Sequence, residues 1–137
     1  MTTYLLDANH ASPLVTLHHP LRQRVEAAKA RGDGFTLVAT VVTEVVFGFL
    51  MLPRSRANQQ EWERLRPGLQ IYTVDAEVAW DAALLQVTLR RRGRQLATID
   101  ALTAVVALRD GLTLLTTDGD FSAVPDLRSE NWLIKTT

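Results

Sequence analysis

Four acidic residues occupy positions in this sequence where carboxylates can do chemistry. Asp7 and Asp118 each directly follow an apolar run, whereas Glu44 and Asp100 fall near the starts of helical patterns. In an open parallel sheet, ligands bind at the carboxyl ends of the strands, and the returning helices begin at that edge. We therefore predict that these carboxylates converge at one edge of a sheet.

Carboxylates held side by side repel one another, so such a cluster needs protons or a divalent cation to neutralise it. The chain has no Cys, and its three His residues show no ligand spacing. Hard oxygen ligands favour Mg²⁺ or Mn²⁺ over zinc. We expect His10, His18 and His19 to be structural or surface residues, with substrate contact by His10 as the alternative.

Each acid also has a structural alternative. Asp7 can cap the segment that follows it, Asp100 can complement a helix dipole, and Asp118 can shape a turn. Glu44 lies in a segment that is apolar almost all round, where an uncompensated carboxylate is costly unless it is paired with an Arg. Coincidence at all of these positions is far less expected than at any one of them.

The elements that must position these acids are read from periodicity and turn signals. Apolar runs predict strands at residues 3–6, 35–39, 69–74, 112–116 and 131–135. Helical patterns cover residues 21–30, 40–50, 55–66, 76–92 and 98–109, with a further helix start at Pro13. The predicted helix caps are Ser12, Thr40, Asp75 and Thr98. This alternation predicts an α/β fold with a parallel sheet covered on both faces and right-handed crossovers.

Composition sets the remaining limits. The 137 residues suit one domain, 1–137, and equal numbers of basic and acidic residues, 15 each, exclude a global electrostatic field for nucleic acid. Any such partner must bind a local patch, and 13 of the 15 basic residues are Arg, which suits phosphate recognition. The chain shows no signal-peptide pattern and no apolar run long enough for a membrane span, so we expect a soluble cytoplasmic protein.

Four motifs in order carry a family resemblance. They are YLLDAN at Tyr4 to Asn9, TEVVFG at Thr43 to Gly48, TIDALTAVVALRDG at Thr98 to Gly111, and LLTTDGDF at Leu114 to Phe121. In order and spacing they resemble the motifs of PIN-domain ribonucleases, specifically the VapC-type toxins of toxin–antitoxin pairs. The resemblance covers essentially the whole chain.

The resemblance implies a Rossmann-like three-layer α/β/α sandwich, a PIN domain, with strand order 3-2-1-4-5. It also implies roles for individual residues. The catalytic residues would be Asp7, Glu44, Asp100 and Asp118, of which Asp7, Asp100 and Asp118 would bind the metal. The auxiliary residues would be Asp120, Asn9, Thr116 and Thr117. We take Asp118 as the ligand and Asp120 as its supporting acid.

The activity implied is a Mg²⁺- or Mn²⁺-dependent endoribonuclease that cuts structured RNA such as tRNA or rRNA and so inhibits translation. A homodimer and a small antitoxin that blocks the acidic site, often with a basic side chain, are implied as well. The candidates for RNA contact are Arg90, Arg91, Arg92 and Arg94, whose alternative is a solvated helix end. Trp62 is either a partner anchor or a core residue.

Three rival functions remain. A housekeeping RNA-processing nuclease would use the same site, and a non-catalytic PIN-like module would bind RNA without cutting it. A phosphoacceptor receiver domain also clusters acids around magnesium, and Lys135 is available for it. That function requires an acidic neighbour for Asp7, which the sequence lacks, and it leaves Glu44 without a role.

Overall fold

Five parallel strands form one sheet in the computed structural model of the chain, which describes residues 1–133. Their order across the sheet is β3-β2-β1-β4-β5, as predicted. The strands are β1 (Thr3–Leu6), β2 (Gly34–Val38), β3 (Gln70–Tyr72), β4 (Thr113–Leu115) and β5 (Ser129–Glu130).

In the described part of the chain, six α-helices connect and cover these strands. They are α1 (Ala8–Ala11), α2 (Pro20–Ala30), α3 (Ala39–Leu50), α4 (Ser55–Leu65), α5 (Ala76–Arg91) and α6 (Thr98–Asp110). Short 3-10 segments lie at Ser12–Val15, Arg66–Gly68 and Gly119–Ala123.

Both faces of the sheet are covered, which confirms the three-layer arrangement. Successive residues of a strand point to opposite faces, yet Leu5 and Leu6 of β1 are both fully buried. Leu114 and Leu115 of β4 are buried in the same way. These central strands read as continuous apolar runs because neither face meets water.

The register brings the ends of β1 and β4 side by side. Leu6 pairs with Leu115, and the backbone N–H of Asp7 donates to the Leu115 carbonyl at 3.0 Å. Asp7 and Thr116, the next residues along the two strands, therefore leave the sheet together. This is the point where the strand order reverses, and it is where an open α/β sheet forms its crevice.

Helices α5 and α6 form an antiparallel pair. Arg109, near the end of α6, lies 3.6 Å from the carboxylate of Asp75, which caps the start of α5 as predicted. Gln86 of α5 donates to the carbonyl of Leu96, just before α6. Gly111 ends α6 with φ 64°, a left-handed conformation that costs glycine little, and the chain turns into β4.

Three local predictions were wrong. The fifth strand is Ser129–Glu130, not residues 131–135: residues 131–133 are not strand, and residues 134–135 lie outside the described residues. Two exposed polar residues give no apolar signal, whereas the apolar signal of Trp132 reflects its burial in the core. Helix α1 was not predicted. The caps at Ser12, Thr40 and Thr98 are also wrong, because each of these residues lies inside its helical segment.

Trp62 is a core residue. It is 9% exposed and packs against Phe49, with ring centroids 6.2 Å apart, so α4 is held against α3. Its indole is therefore not free to anchor a partner. Within residues 1–133, every helix is too short or too polar to cross a bilayer.

Candidate active site

Asp7 lies at the centre of the acidic edge and is held by several donors. It caps α1, and its Oδ1 accepts a hydrogen bond from the backbone N–H of Ala8 at 2.9 Å. Its Oδ2 accepts from the hydroxyl of Thr116 at 2.8 Å and from the amide of Asn9 at 3.2 Å. The side chain is 7% exposed, so these contacts fix the carboxylate in one orientation.

Asn9 and Thr116 join the end of β1 to the end of β4. The Oδ1 of Asn9 accepts from the backbone N–H of Thr117 at 3.2 Å, and the hydroxyl of Thr116 accepts from the backbone N–H of Asp118 at 3.0 Å. The structure thus brings the predicted auxiliary residues Asn9, Thr116 and Thr117 together around Asp7. Thr117 takes part through its backbone.

Asp118 and Asp120 differ in their surroundings. Asp118 is half-buried and caps the 3-10 segment Gly119–Ala123, where its Oδ1 accepts from the backbone N–H of Asp120 at 2.9 Å. Asp118 therefore does shape a turn, in addition to lying at the acidic edge. The side chain of Asp120 is exposed.

Glu44 does not lie in an all-apolar environment. Val41, Val45 and Phe49 form the buried face of α3, and Glu44 lies on the exposed side. An apolar sequence around the whole helix could not reveal which face is buried. Partial burial of the carboxyl group, and then the negative charge of Asp7, raise the pKa of Glu44 above its usual value.

Asp100 experiences the combined field of the cluster. It lies in the first turn of α6 and is half-buried. Burial, and then the negative charges of Asp7, Asp118, Glu44 and Asp120, raise the pKa of Asp100 to about 6. The carboxylates that follow β1 and β4 and those on α3 and α6 therefore lie close enough to affect one another, and their repulsion favours binding of a proton or a cation.

The donor set fits a hard divalent ion. All the converging side chains offer carboxylate oxygens, and excess negative charge is what Mg²⁺ or Mn²⁺ neutralises. Within residues 1–133, no three acidic or histidine side chains lie close enough to hold a metal ion as they stand.

The His residues are structural or surface residues, as expected. His10 is fully buried, with its Nδ1 2.6 Å from Asn9 Oδ1 and its Nε2 accepting from the backbone N–H of Trp132 at 3.0 Å. It therefore cannot touch a substrate. His19 caps α2 by accepting from the N–H of Leu21, and His18 is exposed in a left-handed turn with φ 67°. Sequence reasoning missed the contact between His10 and Trp132, which lie 122 residues apart.

The arginine-rich segment lies just before the helix that carries Asp100. Arg90 and Arg91 end α5, Arg92 and Arg94 follow, and all of them are exposed. The side chain of Gln86 in α5 donates to the hydroxyl of Thr98 at 3.2 Å, which links α5 to the start of α6. Thr98 lies two residues before Asp100 in the chain. The segment therefore lies at the same end of the molecule as the start of α6.

A groove of about 430 Å³ opens beside Asn9. Its apolar wall consists of Val45, Phe49 and Leu52, and Asn58 lines it as well. Because Asn9 contacts Asp7, the groove adjoins the acidic cluster. It could accept an extended apolar segment whose end reaches the carboxylates.

Comparison with known protein families identifies a PIN domain in this chain. The model of that family matches residues 4–127. Ribonuclease VapC2 of Rickettsia felis is 23% identical over 130 residues, which cover 94% of this chain and 97% of that protein.

Solved structures give the same fold. VapBC2 from Rickettsia felis bound to a DNA fragment from its promoter matches with a TM-score of 0.82 at 22% identity, covering 96% of this chain and 99% of that chain. FitAcB from Neisseria gonorrhoeae matches with a TM-score of 0.77 at 25% identity, again covering 96% of this chain and 99% of that chain. The likeness therefore extends over nearly all of this chain and includes the elements that carry the acidic cluster.

Proposed function

This chain belongs to the PIN domain family, and on that premise we propose that it is a metal-dependent endoribonuclease of the VapC toxin type. The observation that carries the proposal is the convergence of acidic side chains on Asp100, whose pKa is raised to about 6 by burial and by its acidic neighbours. The likeness to Ribonuclease VapC2 supports RNA as the substrate.

In this proposal Asp7, Asp100 and Asp118 bind Mg²⁺ or Mn²⁺, and Glu44 supplies a further carboxylate. The ion would lower the pKa of a bound water and offset charge that develops on the phosphate. Asn9 and Thr116 hold Asp7 in place, and Asp118 is oriented by its own turn. Asp120, the second residue of the 3-10 segment Gly119–Ala123, is the proposed supporting acid for Asp118.

The exposed arginines Arg90, Arg91, Arg92 and Arg94 are proposed to contact the RNA backbone. Carboxylates alone repel phosphate, so binding needs cationic groups near the site, and Arg suits phosphate because of its planar fork. The zero net charge of the chain makes a local patch necessary. An activity on structured RNA such as tRNA or rRNA would act in the cytoplasm and inhibit translation.

The test is cleavage of total cellular RNA by purified protein with Mg²⁺ or Mn²⁺, with a chelator, and with Asp100→Asn. Asp110→Asn is the matched control, because it removes the same charge from the exposed end of the same helix. We expect cutting at few sites that requires metal, persists in the control and is lost in Asp100→Asn. RNA binding without cutting by folded protein would favour a non-catalytic module instead.

We also propose a small antitoxin as partner, and the groove beside Asn9 as the place where its tail binds. An apolar segment fits the wall formed by Val45, Phe49 and Leu52, and a basic side chain at its end would be attracted by the carboxylates. The solved complexes of VapBC type support such a partner.

Expression in cells tests this part of the proposal. The wild-type chain should arrest growth, Asp100→Asn should not, and the product of a small neighbouring gene should restore growth. Cleavage without growth arrest would instead indicate a housekeeping nuclease.

A homodimer is proposed as well, and large exposed apolar side chains on α3 and α5 favour it. Phe47, Trp80 and Leu84 are 68%, 68% and 51% exposed. Trp80 and Leu84 lie one turn apart on α5 and so form an exposed apolar pair, and exposed apolar patches mark interaction surfaces. Sedimentation of the purified protein should give twice the chain mass. A single-chain mass across the micromolar range would refute this part.

A further inference from the structure

We propose that His10 is a positioning residue for the acidic site, acting through Asn9 to orient the carboxylate of Asp7. The inference rests on the proposed function, because it assigns a further residue to the same site. The imidazole does not contact the carboxylate. It acts through a line of hydrogen bonds that starts at the backbone of Trp132 and ends at Asp7 Oδ2.

The contacts of His10 determine which ring nitrogen carries the proton. The backbone N–H of Trp132 lies 3.0 Å from Nε2, and a backbone N–H can only donate, so Nε2 must be unprotonated. A neutral imidazole then has its proton on Nδ1. That nitrogen lies 2.6 Å from Asn9 Oδ1, so the Nδ1–H donates to the amide oxygen.

His10 remains in this neutral form because of its surroundings. The residue is fully buried, and burial, followed by the positive charge of Arg24, lowers its pKa to about 4. Arg24 is itself placed over the Trp132 ring, 4.2 Å from its centroid. Protonation would also leave the Trp132 N–H facing a donor, which adds to the cost.

The donor on Nδ1 fixes the amide of Asn9. The Oδ1 atom of Asn9 accepts both the Nδ1–H of His10 and the backbone N–H of Thr117, at 2.6 Å and 3.2 Å. A flipped amide would point its NH₂ group at two donors. The NH₂ group must therefore face the other side, where it donates to Asp7 Oδ2 at 3.2 Å.

Without the ring, one of the two donors that determine this orientation is missing. The Asn9 amide then prefers its present orientation less strongly, and the Asp7 carboxylate is held less firmly in place. Groups that orient metal-binding side chains typically change metal affinity or activity by about 10- to 100-fold when removed. The buried imidazole of His10 thus influences the carboxylate of Asp7 at the acidic edge, although His10 itself does not reach solvent.

Two substitutions separate the two ring nitrogens. His10→Asn places an amide nitrogen near the position of Nδ1 and gives up the contact with Trp132. His10→Gln places an amide oxygen near the position of Nε2, which keeps the contact with Trp132, and gives up the donor to Asn9. Thermal unfolding followed by circular dichroism identifies the folded fraction of each variant.

The measurement is the affinity of each metal-free protein for Mn²⁺ by calorimetry, without RNA. We expect His10→Gln to bind about 10- to 100-fold more weakly than wild type and His10→Asn to bind nearly as well as wild type, whatever their order of thermal stability. Rescue by His10→Asn is a result that a purely structural role does not produce. Equal affinities in wild type and His10→Gln, or a loss in folded His10→Asn as large as that in His10→Gln, would overturn the proposal.

A second measurement uses the wild-type protein without metal, so it does not depend on whether the variants fold. Nitrogen-15 NMR of the wild-type imidazole should show a protonated Nδ1 and an unprotonated Nε2 for His10. A proton on Nε2 would overturn the proposal by itself. Because neither measurement uses RNA, failure of the wild-type protein to cleave RNA would refute the proposed function and leave this inference to be judged separately.

Discussion

Replacement of Asp100 by Asn is expected to stabilise the metal-free protein, even though it should abolish activity. Asp100 is half-buried in the first turn of α6. Burial, and then the charges of Asp7, Asp118, Glu44 and Asp120, raise its pKa from the usual 3.8 to about 6. The folded protein therefore carries an unfavourable charge at neutral pH, and Asn removes it with little change in shape.

The size and sign follow from proton linkage. The folded state holds its proton more tightly than the unfolded state, so stability falls as the pH rises from 3.8 through about 6, and the penalty is complete above that. The difference between the two pKa values corresponds to about 3 kcal/mol at about 1.4 kcal/mol per pH unit. Solvent screening of a half-buried group reduces this to about 1–2 kcal/mol. For a chain of this size, that is about 3–8 °C in melting temperature.

The assay is thermal unfolding in chelator between pH 4 and pH 7.5, for wild type, Asp100→Asn and the control Asp110→Asn. The melting temperature of Asp100→Asn should exceed that of wild type at pH 7 and approach it at pH 4. The exposed control should change stability by about 0.5 kcal/mol or less at every pH. Added Mn²⁺ should then stabilise wild type and not Asp100→Asn, because only a protein that binds the ion gains from it.

Two results would refute this reasoning. One is a lower melting temperature for Asp100→Asn in chelator at pH 7, which would mean that the ionised side chain stabilises the fold. The other is a difference between the two proteins that does not change from pH 4 to pH 7, which would mean that the effect does not come from ionisation of Asp100.

Three further predictions concern the remaining charged groups. In RNA cleavage, Asp120→Asn should cost about 10- to 100-fold and Asp118→Asn more; a larger loss at Asp120 would reverse their assigned roles. Hydrogen bonds from Arg64 and Arg22 lower the pKa of Glu61 to about 2. The stabilisation by the ionised Glu61 side chain is therefore complete above pH 4.5 and is lost as the pH falls toward 2. Glu61→Gln should therefore cost about 1 kcal/mol in urea unfolding at pH 7 and less at pH 3, and an equal cost at both would contradict this. Arg91→Ala with Arg92→Ala should raise KM for RNA and reduce its salt dependence by about 0.7 logarithmic units per lost phosphate contact; an unchanged salt dependence would exclude them from the interface.

Elements whose local signals and packing agree could be predicted from the sequence. The first strand is bounded by Thr3 and Leu6 as expected, because a strand buried on both faces is a continuous apolar run. Asp75 caps α5 as expected, because capping is a local contact with a backbone N–H three residues on. The order of the strands came from the family resemblance, since periodicity alone does not determine which strands are neighbours.

Features that depend on distant contacts could not be predicted. β5 has two exposed polar residues and exists because their backbone pairs with β4. Glu44 reaches solvent because only one face of an apolar helix packs on the core, which composition does not reveal. The Nε2 atom of His10 accepts a hydrogen bond from the backbone N–H of Trp132, and no pattern in the sequence relates residues so far apart.

The candidate site shows the same division. That carboxylates would meet at one edge follows from their places after strands and at helix starts. The hydrogen bonds that hold Asp7 require the register between β1 and β4, which brings Thr116 to its Oδ2. The raised pKa of Asp100 requires the spatial sum of its neighbours' charges.

A crystal structure of the protein grown with Mn²⁺, with the ion located by its anomalous scattering, tests the central claim most directly. We predict a peak within coordination distance of carboxylate oxygens of Asp7, Asp100 and Asp118, and no such peak in Asp100→Asn. An ion bound elsewhere, or no ion at this edge of the sheet at saturating Mn²⁺, would contradict the account of the acidic cluster as a metal site.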